Sequence, residues 1–331
     1  GTWDIIVRLP NMLDTMSYSP TFSWTGRNDG EGPEHARWFN TIKPLPFNPL
    51  EENSSLDEAT AKELSHSVTI LGFASDEGVR RNHGRVGAAD GPNSAFTALG
   101  SLAVPAETRA YDAGIISVTD ADLEGGHKAL STAVAAITST DTTCIVVGGG
   151  HETAYGTHMG LVRSSDSASI GIINFDAHFD LRTADRPTSG TPFKQISQEV
   201  DPFHYTVIGI SRPNNTKVLF DEADALGVTY VTEDELRHAD IAEIISTAAR
   251  DVDILHVSID LDVLPAGVAP GVSAPAAVGV DLNTIRDGLA ACMQTGKVRL
   301  IDIVELNPTY DIDNRTAKVA ARLISDATAL M

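Results

Sequence analysis

The sequence contains few cysteines and no long apolar run, and its first residues do not resemble a secretion signal. Its two cysteines, Cys144 and Cys292, stand outside any CxxC motif, which argues against a disulfide framework or a thiolate metal site. No apolar stretch approaches the roughly 18–20 residues that a membrane-spanning helix needs. The first residues, GTWDIIVRLPNML, lack the basic start, apolar core and small-residue cleavage site of a signal peptide. We therefore expect a cytoplasmic protein that does not enter membranes.

Basic residues are also scarce. The chain has 24 Lys and Arg against 45 Asp and Glu, which gives a formal net charge of −21. A surface of this sign repels nucleic acids and anionic membranes, so neither is expected as a partner. In such an acidic chain, any local cluster of arginines becomes noticeable.

Short apolar runs rich in β-branched residues alternate with helical patterns from residue 67 onward. The runs predicted as strands lie at 67–73, 107–112, 143–148, 169–175, 205–210, 228–231, 253–259 and 298–304. Helical patterns between them include 126–139, 151–164, 214–226, 239–250 and 281–294. This alternation predicts βαβ units and a parallel sheet with helices on both faces. We predict one α/β domain over residues 1–331.

The first part of the chain has a different composition. Residues 1–64 are rich in Pro, Asn and Asp, and they show little periodicity before the segment LDEATAKEL at 56–64. We predict that residues 1–64 form an N-terminal extension packed on the domain, not a separate module.

Acidic residues and histidines follow four of the predicted strands. In chain order they are His151, Asp176, His178, Asp180, Asp260, Asp262 and Glu305. The carboxyl ends of the strands are the edge of an open α/β sheet where ligands bind. In extended backbone, alternate residues face the same side, so Asp176, His178 and Asp180 can converge.

These residue types in one pocket favour a pair of metal ions. Five carboxylates and two histidines could not all stay ionised without cations, and a single ion would not use so many ligands. Two ions about 3.5–4 Å apart, bridged by carboxylates, would use them. Oxygen-rich ligands with few imidazoles and no thiolate favour Mn²⁺ or Mg²⁺ over Zn²⁺. Because imidazole is a poor ligand for Mg²⁺, we predict two Mn²⁺ ions per subunit.

Each motif alone has an ordinary structural explanation. A DxHxD segment occurs by chance in loops, three glycines often form only a tight turn, and DxD at a strand end is common in helix capping. The metal interpretation depends on finding all three motifs at strand ends of one βα protein.

The same segments resemble a known family. GGGHE at 148–152, FDAHFD at 175–180, SIDLDVL at 258–264 and ELNP at 305–308 are similar, in order and spacing, to the arginase-like ureohydrolases. Further segments resemble the formimidoylglutamase branch, namely WTGRND at 24–29, GVRRNHGRVGAADGP at 78–92, SGTPF at 189–193 and APGVSAPAAVGV at 269–280.

The resemblance implies a three-layer α/β/α fold around an eight-stranded parallel sheet. It also implies two manganese sites that share Asp176 and Asp260, with a bridging hydroxide as the nucleophile. The first site would use His151, Asp176, Asp180 and Asp260, and the second Asp176, His178, Asp260 and Asp262. Arginases carry a proton-shuttling histidine at the position that aligns with Phe193, which makes an arginine substrate doubtful here.

Arginines near the predicted site favour an anionic substrate. Five are predicted on loops at this edge of the sheet: Arg80, Arg81, Arg85, Arg182 and Arg212. Guanidinium groups bind carboxylates in a bidentate manner, so N-formimino-L-glutamate, with two carboxylates, fits better than cationic arginine or agmatine. The predicted substrate contacts are Arg182, Ser189, Arg212 and Arg85. We expect Glu305 to pair with the amidine and Asp180 to carry a proton to the departing nitrogen.

Two other functions remain open at this point. One is a related ureohydrolase that releases urea from a guanidino acid such as guanidinobutyrate. The other is a non-catalytic metal-binding protein of the same fold, which would show no turnover at full manganese occupancy. A metallophosphatase or deacetylase would not explain GGGHE together with SIDLD. The family is often oligomeric, so a homo-oligomer is compatible with the resemblance.

Overall fold

The computed structural model describes residues 16–51 and 57–331. Residues 1–15 and 52–56 of the predicted N-terminal extension lie outside the described residues. The strands within these ranges are β1 (Met16–Ser19), β2 (Lys43–Pro44), β3 (Ser67–Ala74), β4 (Ala110–Val118), β5 (Thr142–Val147), β6 (Ile170–Phe175), β7 (His204–Ile210), β8 (Thr229–Thr232), β9 (Ile254–Asp260) and β10 (Val298–Val304).

Twelve α-helices lie within the same ranges. They are α1 (Trp38–Thr41), α2 (Glu58–Leu64), α3 (Glu77–Arg81), α4 (Gly91–Gly100), α5 (Leu123–Thr138), α6 (Thr153–Ser164), α7 (Pro192–Glu199), α8 (Lys217–Ala225), α9 (Glu233–Leu236), α10 (Ile241–Ala248), α11 (Leu282–Gln294) and α12 (Arg315–Ala329). Aspartates before α5, α10 and α11 accept hydrogen bonds from the first free backbone N–H groups, which explains where these helices begin. None of the described helices is long and apolar enough to cross a membrane.

The central sheet contains eight parallel strands in the order β4-β3-β5-β10-β9-β6-β7-β8. These strands correspond to the eight runs predicted from the sequence. The largest displacement is at β4, which begins at Ala110, whereas the prediction places it at 107–112. The predicted α/β class with an eight-stranded parallel sheet is therefore confirmed.

Two short strands from the N-terminal segment add to the outer edge of β4. β1 pairs antiparallel with residues 115–118, and β2 pairs parallel with Tyr111 and Asp112. The sequence does not predict either strand, because four residues and two residues are too few to show a periodicity.

Helices cover both faces of the sheet. α4, α10, α11 and α12 lie on one face, and α5, α6, α7 and α8 lie on the other. Successive residues of β10 alternate between the two cores, since Ile301 packs in the first and Leu300 in the second. A strand buried on both sides explains the nearly continuous apolar run of the sequence. The result is a three-layer α/β/α architecture.

The strand order determines where the functional segments meet. β5, β10, β9 and β6 are consecutive neighbours at the centre of the sheet. The segments that begin at Gly148, Glu305, Leu261 and Asp176 follow these four strands directly. The flanking strands β3 and β7 are followed by segments that start near Ser75 and Ser211. Six loops therefore gather at one edge of the sheet.

Asp112 provides a direct test of how the N-terminal segment is attached. Its buried carboxylate accepts hydrogen bonds from the backbone N of Phe22 (2.7 Å) and from the indole Nε1 of Trp24 (2.9 Å). We expect Asp112→Ala to lower the free energy of unfolding by about 1–3 kcal/mol, because both donors lose their acceptor. Chemical denaturation followed by tryptophan fluorescence measures this change. Asp287→Ala, at an exposed position of α11, is the control, and equal stability of the two variants would contradict the prediction.

Candidate metal centre

Six side chains that the sequence predicts as metal ligands lie together at the carboxyl edge of the sheet. They form two groups whose ligand atoms are close enough to bind an ion. The first group is His151, Asp176, Asp180 and Asp260, and the second is Asp176, His178 and Asp262. Asp176 belongs to both groups, which is the arrangement expected for two neighbouring ions that share a carboxylate.

The distances in the first group converge on one imidazole nitrogen. His151 Nδ1 lies 3.1 Å from Asp176 Oδ2, 3.0 Å from Asp180 Oδ2 and 3.1 Å from Asp260 Oδ2. In the second group, His178 Nδ1 lies 3.5 Å from Asp176 Oδ1 and 3.2 Å from Asp262 Oδ2. The two oxygens of Asp176 therefore face different groups.

Asp260 has a more limited role in this arrangement than the predicted sharing implies. Its Oδ2 faces His151, while its Oδ1 accepts a hydrogen bond of 2.8 Å from the backbone N of Asp262. Only Asp176 is common to both groups in the described geometry.

The shifted pKa values in this cluster are those expected of a site that binds cations. Burial alone would lower the pKa of His151, but its contacts with Asp176, Asp180 and Asp260 raise it well above the usual value. The pKa of His178 is raised in the same way, by Asp262 and Asp176 against the effect of burial. Burial, together with the neighbouring charges of Asp262 and Asp176, raises the pKa of Asp260. Without ions, the protonated imidazoles balance the negative charge of the carboxylates. Bound divalent ions would balance the same charge.

The donor set supports this conclusion. His151 Nδ1 and Asp262 Oδ1 are buried and have no hydrogen-bond partner in the described part of the chain. Such buried polar atoms are costly unless a ligand satisfies them. Carboxylates and imidazoles without thiolates are the ligands that Mn²⁺ accepts. The residues present therefore fit a divalent metal pair.

The three glycines before His151 lie where a side chain would collide with neighbouring atoms. A Cβ at Gly149 would lie 1.6 Å from the carbonyl oxygen of Ser75, and a Cβ at Gly150 would lie 2.0 Å from Glu152 Oε2. Glu152 itself is buried and accepts hydrogen bonds from Ser75 Oγ (2.9 Å) and the backbone N of Gly78 (3.0 Å). The glycines and Glu152 thus join the loops after β3 and β5.

Two functional carboxylates occupy strained backbone positions. Asp180 has φ 50° and Glu305 has φ 69°, both in the left-handed region that non-glycine residues rarely adopt. The backbone N of Glu305 donates to Gly149 O (2.7 Å), and its Oε1 accepts from the backbone N of His151 (2.8 Å). Strain of this kind is typical of functional sites.

Several residues that the sequence analysis missed support the ligands. Asn174 Nδ2 donates to Asp176 Oδ2 and to Tyr205 Oη, both at 3.0 Å. His151 Nε2 lies 2.9 Å from Ser258 Oγ. Ser258 is two residues before Asp260 on β9, so the alternation of strand side chains could have indicated that both face the site. Asn174 is two residues before Asp176, so the same alternation could have indicated its position.

A cavity opens above the metal ligands. Its lining includes Glu305, His178 and Asp180 on the metal side and Arg182, Ser189 and Asn214 from the neighbouring loops. Asn82, His83 and Arg85 from the loop after β3 complete much of the wall. The cavity therefore joins the metal ligands to a polar rim.

The predicted arginines differ in whether their guanidinium groups are free to bind a ligand in this cavity. Arg85 lines it, but its guanidinium donates to the carbonyls of Val272 and Ser273 and lies over the ring of Tyr310. Arg182 lines the cavity, and its guanidinium has no hydrogen bond or ion pair with any described residue.

The structure does not bring the other three arginines to the cavity as free groups. Arg212 is exposed, does not line the cavity, and lies near the ring of Phe220, because β7 ends so that Asn214 and Asn215 face the site instead. Arg80 and Arg81 are ion-paired with Glu77.

Phe193 lies where the resemblance places the histidine of arginases. It is fully buried, stacks on Tyr205 with ring centroids 4.4 Å apart, and meets the His151 ring edge-on at 5.2 Å. This side chain supports His151 from the core and has no proton to exchange.

Comparisons with known proteins agree with this geometry. The model of the arginase family matches residues 66–329. The formimidoylglutamase of Nocardia farcinica is 46% identical over 309 residues, which cover 92% of this chain and 95% of that protein. The formimidoylglutamase of Aeromonas salmonicida is 41% identical over 326 residues, which cover 96% of this chain and 100% of the relative.

Solved structures show the same fold. A variant of Trypanosoma cruzi formiminoglutamase with Mn²⁺ has a TM-score of 0.75 and 27% sequence identity, and the match covers 84% of this chain and 95% of that chain. Together with the shared Asp176 and the two groups of ligands, these similarities show that the chain belongs to the arginase family.

Proposed function

We propose that this protein is a manganese-dependent formimidoylglutamase, which hydrolyses N-formimino-L-glutamate to L-glutamate and formamide in histidine degradation. The observation that carries the proposal is a metal-ligand cluster below a cavity lined by Arg182, whose guanidinium is unpaired among the described residues. The identity of 41–46% to several formimidoylglutamases supports it.

The proposed cofactor is a pair of Mn²⁺ ions in each subunit. One ion would use the group around His151, and the other would use the group around His178, with Asp176 common to both groups. When bound, the ions supply an activated water near neutral pH and stabilise developing negative charge. With Nδ1 of His151 used as a ligand, its Nε2 carries the proton and donates to Ser258 Oγ, which holds the ring in place.

Glu305 is proposed to hold the cationic amidine. Burial raises its pKa well above the usual value, and the charges of Glu152 and Asp262 add to this effect. Its Oε2 makes no hydrogen bond with a described residue, while Oε1 is fixed by the backbone of His151. A positively charged amidine at Oε2 would favour the ionised form of this carboxylate.

Asp180 is proposed to carry the proton to the departing glutamate nitrogen. Cations bound beside it would keep this carboxyl group ionised. A carboxylate in this position can accept a proton from the attacking water and donate it to the leaving amine. Because Phe193 cannot serve as a shuttle, Asp180 is the titratable group best placed for this step.

The substrate carboxylates are proposed to bind at the rim through Arg182 and Ser189. We also propose that residues 1–331 form a single domain, in which residues 1–64 are an extension packed on the rest. Assembly into a homo-oligomer and a cytoplasmic location are also proposals, since the metal centre requires neither.

Steady-state hydrolysis by the manganese-loaded protein tests the function. We expect N-formimino-L-glutamate to be hydrolysed with release of formamide, and arginine, agmatine and guanidinobutyrate to be poor substrates. Arg182→Met should raise KM about 10–100-fold, because a charged hydrogen bond is lost at similar side-chain length. Arg250→Met, at an exposed position on the opposite edge, is the control. Release of urea from a guanidino acid, or no turnover at full manganese occupancy, would refute the proposal.

Manganese affinity should increase with pH. The raised pKa values of His151 and His178 mean that both rings retain protons above pH 6.5 in the metal-free protein, and each must lose its proton to bind an ion. Binding should therefore weaken as the pH falls and should release protons. Calorimetry in buffers of different ionisation enthalpy measures this release. Affinity that does not change with pH would show that the imidazoles are not ligands.

Asn174 should affect the metal site without contacting an ion. We expect Asn174→Ala to weaken manganese binding about 10–100-fold, because Asp176 loses the hydrogen bond that orients it. Metal titration followed by elemental analysis measures the effect, and Asn93→Ala, at an exposed position of α4, is the control. Unchanged affinity in Asn174→Ala would rule out this supporting role.

A further inference from the structure

The cavity rim contains a glycine over which two polar side chains pass. The backbone N of Arg182 donates to the carbonyl of Gly190 at 2.9 Å. A Cβ at Gly190 would lie 2.8 Å from Arg182 Cδ and 3.2 Å from Asn82 Nδ2. Both side chains line the cavity together with Ser189. The absence of a side chain at Gly190 therefore allows Arg182 and Asn82 to share one side of the cavity.

Asn82 determines the direction in which the hydroxyl of Ser189 can donate. Asn82 Nδ2 donates to Ser189 Oγ at 3.1 Å. A serine hydroxyl has a single proton, and here its oxygen already accepts a hydrogen bond. Ser189 is buried, and its hydroxyl proton has no acceptor among the described residues. The hydroxyl is thus left as a donor for a ligand in the cavity.

A buried arginine fixes the loops that carry these two residues. The side chain of Arg81 is only 8% exposed. It donates to Glu77 (2.7 Å), to Glu124 (2.9 Å) and to the carbonyl of Pro187 (3.1 Å). The neighbouring Asn82 and the segment around Ser189 are therefore held together before any ligand binds. A prearranged site of this kind binds with less loss of side-chain entropy.

We infer that Asn82 is a specificity-determining positioning residue, which holds Ser189 as a hydrogen-bond donor to the substrate carboxylate that Arg182 binds. The inference rests on the proposed function. Asn82 acts through Ser189, and Gly190 provides the space in which the three side chains meet. The ligand class is a carboxylate, because a free guanidinium and a free hydroxyl proton both donate to it.

The geometry points to the side-chain carboxylate of the substrate. In N-formimino-L-glutamate the amidine nitrogen is attached to Cα, so the α-carboxylate lies near the reacting carbon and the side-chain carboxylate lies farther out. Asp260 and Asp262 line the cavity and are buried, whereas Arg182 lines it and is exposed. The more distant carboxylate therefore reaches Arg182 and Ser189.

Two variants of Asn82 and two substrates test the inference. Asn82→Ala removes the donor to Ser189. Asn82→Asp keeps the shape but replaces the donor by an acceptor, which turns the hydroxyl proton away from the cavity. N-formimino-L-glutamine, in which the side-chain carboxylate is a neutral amide, is the second substrate. Asn93→Ala on α4 is the matched control.

We expect Asn82→Ala to raise KM for N-formimino-L-glutamate about tenfold, with kcat within about twofold, as for the weakening of one hydrogen bond to a charged group. Asn82→Asp should raise KM for N-formimino-L-glutamate further. KM for N-formimino-L-glutamine should rise less in either variant, because its amide oxygen is a neutral and weaker acceptor. Ser189→Ala should raise KM by a similar factor, and adding Asn82→Ala to it should have almost no further effect.

Equal losses for both substrates would assign Asn82 a purely structural role, and no loss for either would leave Ser189 oriented without it. Each outcome overturns the inference while the proposed function stands, provided that the unaltered protein hydrolyses N-formimino-L-glutamate. If the unaltered protein does not hydrolyse it, the proposed function fails and the inference fails with it. Thermal unfolding of each variant shows whether it is folded, and Ser189→Ala provides the test if the Asn82 variants are not.

Discussion

Repulsion between buried carboxylates is the constraint on which this site depends. Asp176, Asp260, Asp262 and Glu305 are buried at one edge of the sheet, in a chain that already carries a large excess of negative charge. Such a cluster is stable only with a compensating positive charge. Without ions, two protonated imidazoles compensate part of it, and a pair of divalent cations would do so more completely. The left-handed backbone of Asp180 and Glu305 and the turn at residues 148–150 help to hold these groups together.

The charged side chains that line the cavity also limit which substrate can bind. Of the five arginines that the sequence places near the site, Arg80 and Arg81 are ion-paired with glutamates, and the guanidinium of Arg85 donates to backbone carbonyls. Arg182 alone among these lines the cavity with an unpaired guanidinium. Glu305 fits a cationic amidine, and Arg182 fits an anionic carboxylate. A substrate that contacts both must carry these two groups some distance apart. This pattern favours an amidine of an amino diacid over arginine.

The sequence predicts the features that depend on local patterns. The eight parallel strands follow from apolar runs, and the six ligands follow from acids and histidines at strand ends. The edge strands β1 and β2 are too short for such a pattern, and pairing with β4 determines them. Ser258 and Asn82 act through contacts with distant segments, whereas the contact of Asn174 with Asp176 is local. The position of Arg212 depends on how one loop turns, which its sequence does not specify.

A crystal of the manganese-loaded protein, measured at the manganese absorption edge, tests the central claim most directly. Two anomalous peaks about 3.5–4 Å apart are expected, with the two oxygens of Asp176 bound to different ions. A single peak, or peaks at saturating manganese that lie away from His151 and His178, would contradict the account of a binuclear centre.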